Sequence, residues 1–139
     1  IIGDGDPVYR SAIETLVNEL DLEGRFVFTG AISDTNAAYN MLDITALTSV
    51  SEGFPNAVGE AMATATPCAV TDVGDCRRLV GDPDLVYPAG DDEALASIWL
   101  RLSNTGYREA KGQQALKRVT ETFTVRKCCD STIDFLDSL

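Results

Sequence analysis

The chain has 139 residues, of which 45% are hydrophobic and 24% charged, a balance that fits one globular domain able to close a core. Eleven Lys plus Arg stand against twenty-two Asp plus Glu with no His, a formal net charge of -11; such a surface repels phosphodiester backbones and anionic headgroups, so no nucleic-acid partner is expected. A single small anion remains admissible, because helix N-termini and backbone amides carry partial positive charge without any basic side chain.

In chain order, Ile1-Ile2-Gly3-Asp4-Gly5 reads as the end of a buried strand and its turn, so the expectation is a domain cut inside its first strand. Pro7 to Leu20 places Ile13, Leu16, Val17 and Leu20 at helical spacing, with Pro in the first turn, and predicts a surface helix lying on a sheet. Phe26 to Thr29 reads as a short strand ended by Gly30, and Asp34 to Leu42 as a helix capped by Asp34 or Ser33. Ile44 to Thr48 reads as a buried strand, Pro55 to Thr64 as a helix, Cys68 to Thr71 as a strand, and Cys76 to Val80 as a short helix before the strand-like Leu85-Val86-Tyr87. An Asp91-capped helix through Leu102, a second from about Tyr107 to Val119 and a third from Val125 to Leu136 complete the chain. Apolar strands alternating with helices predict an α/β, Rossmann-like parallel sheet covered by helices on both faces. Ligands of such sheets bind at the carboxyl ends of strands, which directs attention to the loops after Ile2, Thr29, Thr48 and Thr71.

Cys68, Cys76, Cys128 and Cys129 match neither a paired zinc spacing nor a dense disulfide framework, and read as reduced thiols of a cytoplasmic protein. Adjacent Cys128 and Cys129 on a helix point in different directions, so one is expected buried and one exposed. The longest apolar runs fall short of the roughly 20 residues of a membrane span, and no charged-then-apolar leader opens the chain.

The segment with most chemistry is Ser51-Glu52-Gly53-Phe54-Pro55-Asn56-Ala57-Val58-Gly59-Glu60, which follows a buried strand and runs into a helix. Pro55 suits the first helical turn and leaves amides from Asn56 onward free to hold a phosphate by hydrogen bonds and the helix dipole. Glu52 sits just ahead of that anion site. Glu60, on the second turn among small and apolar neighbours, is expected to be buried and therefore to meet hydrogen-bond donors. The competing reading leaves Glu60 on an open helix edge and makes Ser49 to Glu52 a capping box; Gly53 and Pro55 would interrupt a helix begun at Ser49.

Other candidates are weaker. Gly3-Asp4-Gly5-Asp6 fails the dinucleotide fingerprint because Val8 stands where Gly is needed, and Asp6-Pro7 reads as a helix start rather than as half of a metal pair; no metal and no cofactor are expected. Arg77 and Arg78 read as a solvated helix face before a phosphate clamp. Trp99 reads as core beside Leu95, Ile98 and Leu102. With no His, and no Ser or Cys beside a visible base, a self-contained hydrolase has little support.

The ordered set Ile1-Ile2-Gly3-Asp4-Gly5, Phe26-Val27-Phe28-Thr29-Gly30, Ser49 to Pro55, the pair Glu52 and Glu60 as E-x7-E, Glu60-Ala61-Met62-Ala63, Thr71-Asp72-Val73-Gly74-Asp75 and Tyr87-Pro88-Ala89-Gly90-Asp91 resembles the retaining, GT-B-fold glycosyltransferases of family 4, the glycosyl transferase group 1 domain. The resemblance implies that residues 1–139 form the C-terminal, nucleotide-sugar-binding half of a GT-B fold. It also implies that Glu52 binds donor-sugar hydroxyls, that Glu60 holds the nucleotide ribose, and that the amides of Gly53, Phe54, Pro55's successor Asn56, Ala57 and Val58 receive the diphosphate. Gly30, Ala31 and Ile32 would contact the base. The family's basic phosphate-binding pair and its acceptor domain would lie upstream of Ile1, any membrane contact would belong to that half, and the chain by itself would transfer nothing and is expected to self-associate through its uncovered face.

The chain departs from the family pattern at Ala65 and Asp75, where Gly is usual, and Ala65 is expected to crowd the turn into the next strand. A nucleotide-sugar epimerase half, or a non-catalytic regulatory or scaffold domain, remain as alternatives.

Overall fold

A computed structural model describes residues 1–139, which divide into two compact units, 1–38 and 39–139. In the first, helix α1 (Pro7–Glu19) starts as the Asp6-Pro7 pair predicts. The Asp6 carboxylate accepts from the Val8 and Tyr9 amides at 2.7 and 3.3 Å, occupying donors that a helix start otherwise leaves open. Residues 26–29 form no strand. They meet Ile1, whose amine donates to the Val27 carbonyl at 2.7 Å and whose carbonyl accepts from the Thr29 amide at 3.1 Å, and pairing ends at a Gly3–Gly30 bridge. Ile1 and Ile2 are exposed rather than buried. Val17 is the buried residue of α1, and Leu16 and Leu20 face outward. Helix α2 (Thr35–Asn40) is capped by Asp34, which accepts from the Ala37 amide at 2.9 Å, and is shorter than its sequence pattern.

The second unit holds a three-stranded parallel sheet of β1 (Thr45–Leu47), β2 (Cys68–Thr71) and β3 (Val86–Tyr87) in the order β1-β2-β3, with Ala46 opposite Ala69 and Val70 opposite Val86. Helix α3 (Asn56–Ala63) joins β1 to β2, α4 (Cys76–Val80) joins β2 to β3, and α5 (Asp92–Leu102), α6 (Thr105–Thr122) and α7 (Val125–Asp137) follow. All four residues of β2 are buried, so helices cover the central strand on both faces. β1 is an edge strand with Ala46 exposed, not the buried strand its apolar run suggests. Val58, Ala61 and Met62 of α3, Leu79 of α4, Leu85, and Ile98 and Leu102 of α5 surround β2; their spacing along each helix is the i, i+3, i+4 stripe of one face.

Two expectations fail on this geometry. Trp99 is 45% exposed, because Ile98 and Leu102 define the buried stripe of α5 and the next residue lies about 100° round the helix. Cys128 and Cys129 are both exposed, because α7 buries no residue. Cys68 and Cys76 are buried; burial pushes the Cys68 thiol up to about 12 and raises Cys76, helped by the nearby Glu52 charge.

Helix α6 is tied down by charge as well as packing. Lys111 bonds Asp82 at 2.7 Å and Asp84 at 3.0 Å with its side chain 11% exposed, and Arg118 donates to the carbonyls of Leu79, at 2.8 Å, and Arg78, which end α4. Ala65 adopts φ 59, the left-handed region where a side chain costs about 1–2 kcal/mol, so the departure from Gly carries the strain expected of it. Its carbonyl lies where a Cβ on Gly112 of α6 would sit. Asp75 has φ -88 and is unstrained.

Chemical denaturation should therefore separate two substitutions: Ala65→Gly gains up to about 1 kcal/mol, the relief of φ less glycine's greater unfolded-state freedom, and Gly112→Ala loses about 1–3 kcal/mol through overpacking. An aromatic disulfide reagent at pH 8 should label two thiols per native chain, at Cys128 and Cys129, and all four after denaturation; thiolate character and access set that rate.

Candidate functional site

The carboxyl ends of β1 and β2 carry the two loops that build the site. The Thr71 hydroxyl donates to the Ser49 carbonyl at 2.7 Å and the Tyr87 hydroxyl to the Leu47 carbonyl at 3.2 Å, so the chain leaving β1 is held by side chains of both β2 and β3. Farther on, the Asp75 amide donates to the Gly53 carbonyl at 3.0 Å. Gly74, at φ 51, lies so close beneath that a Cβ on it would overlap the carbonyl oxygens of Glu52 and Gly53. Only glycine meets both demands, the left-handed backbone and the close approach.

That docking sets Glu52. Its carboxylate is partly buried and accepts from the Ser49 hydroxyl at 2.7 Å. This bond joins two side chains, whereas a capping box joins each side chain to a backbone amide, and no helix starts at Ser49: residues 48–54 form a loop and α3 begins at Asn56 with Pro55 as its N-cap. Pro55 therefore stands one position earlier than expected, buried, with its carbonyl accepting from the amides of Val58 and Gly59 at 3.0 and 3.4 Å. The amides of Asn56 and Ala57 bond to nothing within the chain, and both residues are exposed. Two donors and the positive end of a helix dipole thus face outward immediately after Glu52.

Glu60 is exposed, which corrects the expectation of burial. The residues of α3 that turn inward are Val58, Ala61 and Met62; the small neighbours Ala57, Gly59 and Ala63 lie on an open face, so they signal access rather than core. The open-edge reading of Glu60 is the one the structure bears out. The carboxylate nevertheless has a partner, the half-buried Tyr39 phenol, whose pKa is raised by burial and then by the Glu60 charge it hydrogen-bonds. Nothing in the sequence marks Tyr39 for that role, because the two meet only through the fold.

Of the residues singled out from sequence, the structure gathers Glu52, Gly53, Phe54, Pro55, Asn56, Ala57, Val58 and Glu60 on one loop and the helix it opens, with Val58 buried and pointing inward. Gly30, Ala31 and Ile32 belong to the other unit; there Gly30 takes φ 68 and its carbonyl accepts from the Gly3 amide at 2.9 Å. Arg77 makes two bonds to Asp72, at 2.9 and 2.5 Å, and Arg78 reaches Asp75 at 3.5 Å. Both guanidiniums are largely exposed and committed to carboxylates, as a solvated face would be; the Arg77 bond also holds the Asp72 carboxyl below its usual range. In the sequence Gly74 is only part of a pattern; its place under the Glu52 loop comes from the tertiary fold.

Residues 1–105 match the model of the family described as glycosyl transferases group 1. The chain belongs to that family. A glycosyltransferase of Methanocaldococcus jannaschii is 30% identical over 139 residues, covering 96% of this chain and 35% of its own. Sucrose-phosphate synthase from Thermosynechococcus elongatus superimposes with a TM-score of 0.87 at 27% identity, over 99% of this chain and 37% of that one. Anabaena HepE, solved in complex with UDP-glucose, does so with a TM-score of 0.87 at 25% identity, over 99% and 40%. The fold is accordingly that of GT-B glycosyltransferases, and the chain spans little more than a third of the length of these relatives.

Replacing Gly74 by Ala should displace the Glu52 loop, at a cost of about 1–3 kcal/mol in stability for the overlap and with broadened amide resonances for residues 49–54 in a heteronuclear NMR spectrum. An unchanged spectrum would mean that the two loops are not coupled through this contact.

Proposed function

We propose that residues 1–139 are the donor-binding C-terminal domain of a glycosyltransferase that moves a sugar from a nucleotide-sugar to an acceptor with retention of configuration, and that the acceptor is held by a further domain of the full-length protein. The observation that carries this reading is the pair of unbonded amides, Asn56 and Ala57, at the opening of α3 between Glu52 and Glu60. Family membership and the UDP-glucose complex of a neighbour support it.

In this reading the diphosphate lies on the α3 amides, where hydrogen bonds and the helix dipole favour an anion without a basic side chain. Such preorganised donors stabilise the negative charge that grows as the bond from C1 of the sugar to the phosphate oxygen breaks. Glu52, oriented by Ser49, accepts bonds from sugar hydroxyls; Glu60, oriented by Tyr39, accepts bonds from the paired hydroxyls of the ribose. Gly30, Ala31 and Ile32 take the base. The acceptor hydroxyl attacks C1 on the face the leaving group vacates, and its proton passes to the departing phosphate. Alone, the domain binds donor weakly and transfers nothing. No helix is long and apolar enough to cross a membrane, and the reading places the reaction in the cytoplasm, with any membrane contact made by the remainder of the protein.

A thermal-shift titration with UDP, GDP, ADP and their sugar conjugates tests this. Ligand at roughly 100 times its dissociation constant adds about 2.7 kcal/mol, or several degrees for a domain of this size. One nucleotide should shift the wild-type chain, and Glu60→Ala should lose most of that shift. A shift that survives the substitution would remove Glu60 from the ribose, and none with any nucleotide at millimolar concentration would favour a non-catalytic domain.

A further inference from the structure

The loop that carries Glu52 is fastened from the sheet side at Ser49, by Thr71, and at Gly53, by the Asp75 amide. Its last free residue, Phe54, is fastened from elsewhere. The Phe54 ring is 44% exposed and lies 5.7 Å, centroid to centroid and tilted by 50°, from the ring of Phe123, the residue that ends α6. Phe123 is in turn held: it packs against the core, and the Arg118 guanidinium stands 5.6 Å from its ring while bonding the carbonyls that end α4. Phe54 and Phe123 also share a wall of an open cavity of about 780 Å³ bordered by α7, so Phe54 has room to swing away if its ring partner is removed.

We propose that Phe123 is a positioning residue for donor binding: through its ring contact with Phe54 it holds the Glu52–Phe54 loop in the conformation that meets the sugar end of the donor. This rests on the donor-site reading above and adds to it a residue nearly seventy positions beyond the loop, outside every motif of the sequence. Tilted aromatic pairs of this spacing are favourable beyond the area they bury. Because the sheet-side fastenings and the α3 amides are untouched by Phe123, its removal loosens the sugar-facing loop and leaves the diphosphate seat in place.

The test has two measurements on the 139-residue chain, wild type against Phe123→Ala and the ring-retaining Phe123→Tyr. Amide hydrogen exchange, which needs no ligand, should speed up at residues 51–54 in Phe123→Ala and not in β2, and should return to wild type in Phe123→Tyr. Calorimetric titration with UDP and UDP-glucose, GDP and GDP-mannose, and ADP and ADP-glucose should show the sugar conjugate that binds wild type weakened about three- to tenfold, the range of a lost aromatic pair. The matching free diphosphate should keep its affinity, a difference that general destabilisation would not produce. Unchanged exchange at 51–54, or faster exchange spread equally through β2, overturns the positioning role. Faster local exchange with sugar conjugate and diphosphate weakened alike also overturns it, as the sugar end would not be what Phe123 serves. Wild-type chain that binds none of the six compounds overturns the donor-site reading instead, whatever the exchange shows.

Discussion

The close approach of two loops, 48–55 and 72–75, governs what lies at the carboxyl edge of the sheet. Gly74 supplies the left-handed turn and the missing side chain that let the Glu52 and Gly53 carbonyls settle against it, and the Asp75 amide closes the contact. Without that bed the chain leaving β1 would be an ordinary surface loop of polar and glycine residues. With it, Glu52 is held beside Ser49, just ahead of the two open amides at the start of α3. One backbone contact thus sets the carboxylate that stands ahead of the anion seat.

The core explains why the bed is firm. β2 is buried along its whole length, and a strand packed on both faces cannot shift register by one residue without forcing each side chain into a space shaped for another. Thr71 at its end then delivers a hydroxyl to Ser49, and the chain beyond it delivers Gly74. On the far side, Lys111 and Arg118 fix α6 against the turns around α4 and β3. Neither pair is a solvent-screened surface bridge of the kind that contributes little: Lys111 is enclosed between two carboxylates, and Arg118 caps carbonyls that a helix end leaves open. Strain is tolerated at Ala65, whose left-handed backbone sits in the turn between α3 and β2 with α6 packed directly over it.

The chain is uneven in how it uses its apolar residues. Around β2 the periodic positions are interior, as in Val58, Met62, Leu79 and Leu102. In α1 and α7 the same kind of pattern is displayed outward, with Leu16, Leu20, Ile133 and Leu136 exposed. Hydrophobic spacing states which residues of a helix belong together, and it is silent on whether anything is there to receive them. That is why the spacing predicts α7 to within a residue at its end, while neither cysteine on it is buried.

Sequence by itself determined the elements around β2, the caps at Asp6, Asp34 and Asp91, the parallel arrangement, and the segment from Glu52 to Glu60 as the place to look, because these depend on local backbone chemistry and on spacings of two to four residues. The amides of Asn56 and Ala57 could be anticipated for the same reason: a proline ahead of a helix leaves donors unpaired wherever it occurs. Tertiary structure decided the rest. Whether Glu60 was enclosed or open turned on which three side chains of α3 faced the sheet; that Tyr39 would orient it, that Gly74 would lie under Glu52, and that Phe123 would meet Phe54 all join residues 20 or more positions apart. Such contacts carry no local signature, since they are selected by the global packing of the chain and not by the conformational preference of any residue in them.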